Sequence, residues 1–314
     1  MFDVNAFVDK QVEAIRKEVK GKAIIACSGG VDSTAAAVLA SRALGPAMMA
    51  VYVDNGLMRK GETEQVAAMM EKLGVSYHLI DATDEFLSAL AGTTDPEKKR
   101  RIIGSKFIDV FEREAKSFGA EYLIQGTIAP DWIESGGKLR DRIKSHHNVG
   151  GLPDVMKLRL VEPLRDLYKD EVRQVARALG VSVSERQPFP GPALAVRVMG
   201  EVTREKVALV REACAIVEEE IERATAAGKM SLPWQYFAAL LDTKSVGVQG
   251  DLRVYGYTVV VRAVESVDGM TASYSKIPHD VLETISLRMT NEIKGINRVV
   301  YDISHKPPAT IEWE

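Results

Sequence analysis

The chain has 314 residues, a formal net charge of −3 and two cysteines. This length allows one large or two ordinary domains, and the weak net charge argues against a protein that binds nucleic acid through a globally basic surface. Two cysteines outside any CxxC motif exclude a zinc quartet and a disulfide framework. The sequence has neither a signal-peptide pattern nor an apolar segment of transmembrane length, so we expect a cytoplasmic protein.

Predicted helices and strands alternate along the first part of the chain. Apolar periodicity and composition predict helices at 4–19, 34–44, 62–73, 97–118 and 168–179, and short apolar runs predict strands at 23–27, 47–53, 76–80, 121–125 and 181–183. This alternation favours an α/β domain with a parallel sheet covered by helices on both faces. The four basic residues at 98–101 fall on the fourth of these helices, where we expect them to form a solvated face.

A turn rich in glycine and hydroxyl groups follows the first predicted strand, at 28–34 (SGGVDST). Backbone N–H groups and the positive end of a helix dipole bind anions at such a turn, glycine allows close approach, and hydroxyls add donors. No Walker lysine stands in the loop, so we expect it to hold pyrophosphate as a leaving group, with Asp32 holding Mg²⁺. The string resembles the signature of ATP pyrophosphatases. The alternative is a turn without a ligand.

A long segment at 129–151 reads as neither a helix nor a strand. It contains four glycines and a group of charged and imidazole side chains: Asp131, Glu134, Lys138, Lys144, His146 and His147. Long irregular loops in compact domains are often functional, so we expect a lid that closes on a polyphosphate. The alternative is a disordered surface loop.

The alternation stops at 185–192, where three prolines and a glycine occur within eight residues. This is the best domain boundary, and we divide the chain into 1–187 and 188–314. The second part predicts a small α+β domain with a long amphipathic helix around 207–221, a β-rich run at 253–264, a helix at 281–293 and a strand at 298–304. We expect the apolar stripe at 207–221 to be more than this domain can bury alone, and hence to contribute to a homodimer contact.

Seven strings spread over the chain together resemble the GMP synthetase family, in particular its stand-alone ATP-pyrophosphatase subunit (the B-type subunit). They are SGGVDST at 28–34, VDNGLMR at 53–59, QGTIAPDWIES at 125–135, KSHHNVGGLP at 144–153, PFPGPALAVRV at 188–198, SVGVQGD at 245–251 and KPPATIEWE at 306–314. The resemblance implies an adenine-nucleotide α-hydrolase-like (ATP pyrophosphatase) domain followed by a dimerisation domain. It implies that XMP is adenylated by ATP, with release of pyrophosphate, and that ammonia then displaces AMP to give GMP.

The resemblance also implies a role for particular residues. The ATP-binding positions that match are Ser28, Gly29, Gly30, Val31, Asp32, Ser33, Thr34, Val53, Asp54, Asn55, Asp131 and Glu134. The XMP-binding positions that match are Arg197, Gln249, Lys306, Ile311 and Glu312. The implied catalytic residues are Asp32, Lys144 and His147, and Asp32 is also the implied Mg²⁺ ligand. Arg and Lys suit a phosphate monoester, whereas Gln and Glu suit the edge of a purine; the alternative for each is a solvated surface side chain.

Three positions depart from the usual pattern of this family. Ala193 replaces the last glycine of PFPGPGL, so we expect that an unusual backbone angle is lost there or was never needed. Gln187 stands where histidine is common, and Ala129 stands where a larger residue is common. These departures affect our expectations of substrate affinity and leave the expected reaction unchanged.

No cysteine lies in the G-x-C-x-G elbow that a glutaminase needs, so we expect a separate glutaminase subunit to supply the ammonia. A tRNA-modifying pyrophosphatase is one alternative, but it would carry a basic patch or more cysteines. A non-catalytic nucleotide-binding module that regulates a partner is the other alternative. Release of pyrophosphate from ATP in the presence of XMP would distinguish the enzyme from such a module.

Overall fold

The computed structural model describes residues 2–134, 158–182 and 187–314, without the side chains of 132–134 and 249. The described residues form two compact units. The first unit takes its residues from Met1–Gly56, Gly61–Glu85 and Ile103–Glu185, and the second takes them from Leu57–Lys60, Phe86–Ile102 and Arg186–Glu314.

A five-stranded parallel sheet forms the centre of the first unit, in the order β3-β2-β1-β4-β5. The strands are β1 (Ala23–Ala26), β2 (Met48–Asp54), β3 (Tyr77–Asp81), β4 (Tyr122–Ile124) and β5 (Arg159–Val161). The helices that begin in or cross this unit are α1 (Val4–Glu18), α2 (Val31–Leu44), α3 (Glu62–Lys72), α4 (Thr83–Leu90), α5 (Pro96–Phe118), α6 (Ala129–Glu134) and α7 (Lys169–Ala178). The predicted parallel α/β fold is confirmed.

Small side chains bring α2 close to the sheet. Seven consecutive residues of this helix, from Thr34 to Ala40, are buried, and four of them are alanines. Alanine combines high helix propensity with a small volume, so a helix that is buried on nearly all sides can pack tightly at this point. This composition lets α2 pack against β1, β2 and β4 of the sheet.

The order of the strands creates a switch point beside β1. From β1 the chain adds β2 and β3 on one side, and it later adds β4 and β5 on the other. Ligands of such sheets bind beyond the carboxyl ends of the strands where the order reverses. The turn at Ser28–Gly30 follows β1 and leads into α2, which places it at that point, as the sequence predicts.

The second unit is built on a sheet that is mainly antiparallel. Its strands are β6 (Gln235–Gln249), β7 (Leu252–Glu265), β8 (Ser273–Tyr274) and β9 (Ile296–Tyr301). β7 pairs antiparallel with β6 and β8 and parallel with β9. The helix α8 (Arg204–Ala226) packs on β6, and α9 (His279–Glu292) packs on α8 and β9.

The apolar stripe on α8 is buried within its own unit. Its members, Val207, Val210, Cys214, Val217 and Ile221, are each at most 2% exposed. The prediction that this stripe contributes to a homodimer contact is therefore wrong. The stripe packs on β6, a strand that was not predicted from the sequence.

Other differences lie at short or mixed segments. Val181 and Ser182 are not in a strand, and the fifth strand of the parallel sheet is instead β5. The segment predicted as a lid begins with the short helix α6, and its remainder from residue 135 lies outside the described residues. Within the described ranges, no helix is long and apolar enough to cross a membrane.

Candidate functional site

The turn after β1 contains hydrogen bonds made by its own hydroxyl groups. The Ser33 Oγ donates to the carbonyl of Gly30 at 3.2 Å and lies 3.3 Å from the Ser28 Oγ. The Ser28 Oγ in turn accepts the Gly30 N–H at 3.4 Å. Gly30 is the N-cap of α2 and receives no side-chain cap, so the helix start presents its dipole without a competing carboxylate cap.

Two glycines allow this turn its shape. Gly29 has a φ of +79°, which favours glycine, and a Cβ there would lie 2.7 Å from the Val66 side chain. Gly126 follows β4, and a Cβ there would lie 2.9 Å from the carbonyl carbon of Asp32. The QGT string after β4 is thus packed directly against the turn after β1, and this packing joins two of the predicted motifs.

The hydroxyls of Thr34 and Thr127 are buried. Thr34 is 0% exposed, so its side chain is not presented at the surface of the turn, and its N–H donates to the carbonyl of Gly30 at 3.0 Å. Among the described residues, neither the Thr34 Oγ1 nor the Thr127 Oγ1 has a hydrogen-bond partner. Buried hydroxyls usually have a partner, so these two are exceptions within the described part of the chain.

Asp32 lies in the first turn of α2, near both positively and negatively charged side chains. Burial raises the pKa of its carboxyl group, the charges of Lys169 and Arg173 at the start of α7 lower it, and Asp131 raises it; the net shift is upward. Asp131 is thus close enough for its negative charge to act on the Asp32 carboxyl group. Their mutual repulsion is relieved when a cation binds between or near them.

These carboxylates match the ligands that Mg²⁺ prefers in proteins. In the part of the chain that the structure describes, no group of three or more His, Cys, Asp or Glu residues could form a metal cage. Mg²⁺ commonly takes only one or two carboxylates from the protein and completes its shell with water and substrate phosphates. Asp32, with Asp131 nearby, supplies a donor set of that kind.

The VDNG string lies at the carboxyl end of β2, next to β1. Val53 and Asn55 are buried, at 7% and 0% exposure. The Asp54 carboxylate is engaged locally, since it accepts the Gly56 N–H at 2.8 Å and the Thr63 hydroxyl at 2.7 Å. Asp54 therefore shapes the turn, and the backbone of this turn is what lies at the sheet edge.

The expected lid residues are only partly described. Asp131 is exposed in the first turn of α6, and its Oδ2 accepts the Ile128 N–H at 3.0 Å. Glu134 is the last residue of α6, but its side chain lies outside the described part, as do Lys144 and His147 altogether.

In the second unit, the buried Arg197 forms a bidentate ion pair with the half-buried Glu312. The Arg197 Nε and Nη2 donate to the two carboxylate oxygens of Glu312 at 3.1 and 3.0 Å. The guanidinium also lies 4.1 Å from the centre of the Phe237 ring. Burial alone would lower the pKa of Arg197, but the Glu312 carboxylate raises it, so the net shift is upward and the pair stays charged.

Gln235 is a third member of this cluster, and no sequence motif indicated it. Its Nε2 donates to the Glu312 Oε1 at 2.8 Å and to the Pro188 carbonyl at 3.1 Å. Cys214 lies on the other side, where its Sγ accepts from the Arg197 Nη1 at 3.8 Å and donates to the Ala238 carbonyl at 3.3 Å. Two of the predicted residues are thus in direct contact, and two unpredicted residues support them.

The other predicted residues of this group lie along the same C-terminal segment. Ile311 is 8% exposed and directly precedes Glu312. The Lys306 Nζ donates to the Gly269 carbonyl at 2.8 Å, and its backbone pairs with Ala272. Gln249 ends β6, but its side chain is outside the described part.

Arg262 on β7 donates hydrogen bonds to backbone carbonyls of this C-terminal segment. It is 0% exposed, and its guanidinium donates to the carbonyls of Ser304 at 2.6 Å and Thr310 at 3.1 Å. No sequence signal indicates this role, because β7 is buried on both faces and shows no alternation that would mark an inward charge.

Lys99 contradicts the expectation that residues 98–101 form a solvated face. Its side chain is 0% exposed, and its Nζ donates to the Val198 carbonyl at 2.8 Å and pairs with the Glu314 carboxylate. Lys99 precedes the buried Ile103 by one helical turn, so it lies on the inward face of α5. That spacing is the signal from which its burial could have been predicted.

Ala193 corrects a second expectation. Its φ is +54°, the one positive φ among the described non-glycine residues, and it is 1% exposed. The unusual backbone angle is therefore kept without glycine. The turn is fixed by the Ala193 N–H, which donates to the Pro190 carbonyl at 2.9 Å, and by the Leu194 N–H, which donates to the Leu57 carbonyl at 3.0 Å.

Gln187 and Ala129, the other two departures, fit their surroundings. The Gln187 side chain donates to the Glu218 carboxylate at 2.8 Å and accepts the Tyr236 N–H at 2.7 Å. Ala129 is buried, and its N–H donates to the Leu167 carbonyl at 2.8 Å.

Comparison with known proteins identifies relatives that match the whole chain. The B-type subunit of glutamine-hydrolyzing GMP synthase from Thermoplasma acidophilum is 57% identical over 310 residues, which are 99% of each chain. The protein of the same name from Methanopyrus kandleri is 58% identical over 318 residues, covering 100% of both. That of Pyrococcus horikoshii is 59% identical over 316 residues, covering 99% of this chain and 100% of the relative.

Two sequence families match parts of the chain. Residues 219–313 match the GMP synthase C terminal domain, and residues 3–106 match NAD synthase. A structure of NMN synthetase from Francisella tularensis aligns with 66% of this chain and 85% of its own, at 18% identity and a TM-score of 0.48, a likeness too low to bear on function.

Proposed function

Because this chain belongs to the family of the B-type subunits of glutamine-hydrolyzing GMP synthase, we propose that it carries out the ATP-dependent amination of XMP through an adenylyl-XMP intermediate. As a member of that family, the protein is a carbon–nitrogen ligase of GMP synthesis. The observation that carries the proposal is that the relationship extends over both units.

The proposed reaction has two steps. The oxygen on purine C2 of XMP attacks the α-phosphorus of ATP, the bond to the β-phosphate oxygen breaks, and pyrophosphate leaves. Ammonia then attacks C2, loses a proton and displaces AMP, which gives GMP. AMP is a far better leaving group than the original oxygen, and this is the chemical reason for the use of ATP.

On the ATP side, we assign the turn at Ser28–Ser33 to the pyrophosphate portion. Its N–H groups and hydroxyls are donors at the start of α2, where negative charge develops as pyrophosphate departs. Asp32, with Asp131 nearby, would hold Mg²⁺, which supplies charge neutralisation at the departing phosphates. The backbone at Val53–Asn55 would meet adenine, and Glu134, Lys144 and His147 remain proposed contacts from outside the fully described part.

On the XMP side, we assign the second domain, from residue 188, with Gln249, Lys306, Ile311 and Glu312 as contacts. Arg197 acts in this scheme through Glu312, because its guanidinium is buried and already bonded to that carboxylate. Glu312 would thereby be oriented as an acceptor toward the purine, and Lys306 would meet the phosphate.

We further propose that the ammonia comes from a separate glutaminase subunit. The relatives are named as one subunit of a glutamine-hydrolyzing enzyme. Cys27 and Cys214, the two cysteines of the sequence, are both buried, so neither presents the exposed thiolate that glutamine hydrolysis would use.

A homodimer is also part of the proposal. The outer end of the β6–β7 hairpin exposes three large side chains on one face, and we name them the hairpin patch: Val246, Val248 and Tyr255. Val246 is paired across the hairpin with Tyr255, and Val248 lies two residues further along the same strand. Exposed apolar side chains grouped in this way favour contact with a second copy.

The proposed intermediate can be tested by labelling the oxygen at purine C2 of XMP. Purified protein would be incubated with ATP, Mg²⁺, an ammonium salt and XMP that carries 18O at purine C2. We expect GMP, pyrophosphate and AMP, with the label in the AMP phosphate. Label in inorganic phosphate would mean phosphoryl rather than adenylyl transfer, and would overturn the proposed intermediate. Nucleotide binding without any product would favour the non-catalytic module instead.

A further inference from the structure

The end of the chain is anchored by a cluster that the proposed reaction does not use. The Glu314 side chain pairs with the Lys99 Nζ and accepts the Gly200 N–H at 3.2 Å. The backbone oxygen of Glu314 accepts from the Arg100 Nη2 at 2.5 Å. All of these residues belong to the second unit, and we name them the Glu314 anchor: Lys99, Arg100, Gly200 and Glu314.

The Glu314 anchor is next to the Arg197–Glu312 pair in sequence on both of the segments that meet here, 197–200 and 312–314. Glu312 meets Arg197, and Glu314, two residues further on, meets the backbone at Gly200. Glu312 and Glu314 therefore both bond to the 197–200 segment. Trp313 stands between them and is 37% exposed.

Lys99 joins the two segments. Its ammonium group is bonded at once to the carbonyl of Val198, which follows Arg197, and to the carboxylate of Glu314. A buried lysine with these partners fixes where the 312–314 segment lies along the 197–200 segment. Its sequence neighbour Lys98 is exposed and has no part in the anchor.

We propose that Lys99 is a positioning residue for substrate binding: by bonding Glu314 and the Val198 carbonyl together, it sets the register in which Glu312 meets Arg197 and faces XMP. The inference rests on the proposed function for the identity of the substrate. The anchor itself can be tested without any substrate.

The kinetic test compares Lys99→Met with Lys98→Met, which removes the same charge from the exposed face of α5. We expect Lys99→Met to raise the KM for XMP about tenfold or more, with kcat and the KM for ATP changed less than about threefold, because uniform substrate binding is lost and the chemistry is retained. Lys98→Met should match the unaltered protein. Glu314→Gln, which alters the other member of the ion pair, provides the same comparison if Lys99→Met does not fold.

The substrate-free test uses Trp313 as a reporter. The chain has three tryptophans. In the double variant Trp132→Phe, Trp234→Phe, all tryptophan emission therefore comes from Trp313. In that background we expect Lys99→Met, but not Lys98→Met, to increase quenching by acrylamide. Equal quenching in the two variants would overturn the anchor, and increased quenching with an unchanged KM for XMP would overturn its positioning role. If the unaltered protein makes no GMP, the proposed function fails, while the quenching comparison still judges the anchor.

Discussion

Single residues with unusual surroundings carry the most specific consequences of this structure. Ala193 adopts a left-handed φ of +54° although its methyl group is buried. A left-handed conformation costs an alanine about 1–2 kcal/mol, a cost that glycine avoids. Two residues away, Ala195 is equally buried and has no positive φ. The pair therefore separates backbone strain from loss of a methyl group.

We predict that Ala193→Gly destabilises the protein by about 1 kcal/mol less than Ala195→Gly, or even stabilises it. Both changes remove a buried methyl group and add the backbone freedom of glycine to the unfolded chain, but only Ala193→Gly also removes the strain. Urea unfolding of the two variants and the parent at one pH measures the difference. Equal losses of free energy of unfolding would mean that position 193 is unstrained.

Asp32 should show a conflict between stability and function. Burial raises its pKa in the folded protein, so the ionised carboxylate is less favourable there than in the unfolded chain. This group therefore favours the folded state at low pH, and that contribution is lost as the pH rises from the unfolded pKa through the folded pKa.

We predict that Asp32→Asn leaves the ligand-free protein as stable as the parent at pH 7, or more stable, while it lowers the rate of pyrophosphate release on the order of a thousandfold. Urea unfolding without ligands and a pyrophosphate assay measure the two effects. Asp9→Asn, on the exposed face of α1, is the control for loss of one carboxylate. Near-normal pyrophosphate release by Asp32→Asn would contradict the assignment of Asp32 as the Mg²⁺ ligand.

At the scale of elements, the site depends on how closely the end of β4 approaches the turn after β1. A Cβ at Gly126 would lie 2.9 Å from the Asp32 carbonyl carbon and 3.0 Å from both the Asp32 carbonyl oxygen and the Ser33 nitrogen. These atoms are backbone, so no side-chain rotation can relieve the clash, and the start of α2 would have to move.

We predict that Gly126→Ala lowers kcat/KM for ATP about a hundredfold or more, because a shift of about 1 Å in catalytic groups has an effect of that size. Gly191→Ala is the matched control, since a Cβ there has nothing within 4 Å and its φ is not positive. Far-UV circular dichroism checks that both variants fold. Equal kinetics for the two variants would show that the turn tolerates the displacement.

Regular periodicity made some of these elements predictable and others not. α3 was expected at 62–73 and spans Glu62–Lys72, and β2 was expected at 47–53 and spans Met48–Asp54. β5 has three residues, of which only Val161 is buried, so it has no periodic signal. β6 changes from an apolar run to polar residues along its length and fits neither template.

Contacts between distant segments explain the remaining misses at the site. Arg197 and Glu312 could be named from motifs, but they are 115 positions apart, and nothing local indicates that they bond each other. Lys99 and Glu314 are 215 positions apart, and the basic run around Lys99 reads locally as a solvated face. Burial of a charge is decided by its partner, and the partner is set by tertiary packing.

For the molecule as a whole, the hairpin patch leads to a prediction about assembly. Val248 is 74% exposed and Tyr255 is 69% exposed on the same face of the hairpin. We predict that the double variant Val248→Asp, Tyr255→Asp is monomeric in sedimentation velocity runs in which the parent is a dimer, because charges at a contact repel and must be desolvated. Val267→Asp places a charge at a residue that is 96% exposed elsewhere, and serves as the control. A double variant that still sediments as a dimer would place the contact on another surface.

Cys27 and Cys214 are the two cysteines of the chain, and both are buried. Burial raises the pKa of the Cys27 thiol to about 12 and also raises that of Cys214, so neither forms appreciable thiolate at neutral pH.

We therefore predict that the purified chain makes GMP from ammonium salts but not from glutamine in ammonia-free buffer. At fixed total ammonium, its rate should climb between about pH 7 and 9, because only unprotonated ammonia can attack purine C2. An Ellman titration should detect two thiols after unfolding and none rapidly before it. Adding the separate glutaminase should confer synthesis from glutamine. Sustained turnover with glutamine by this chain alone would mean that it carries an amidotransferase site of its own, and the two-subunit scheme would fall.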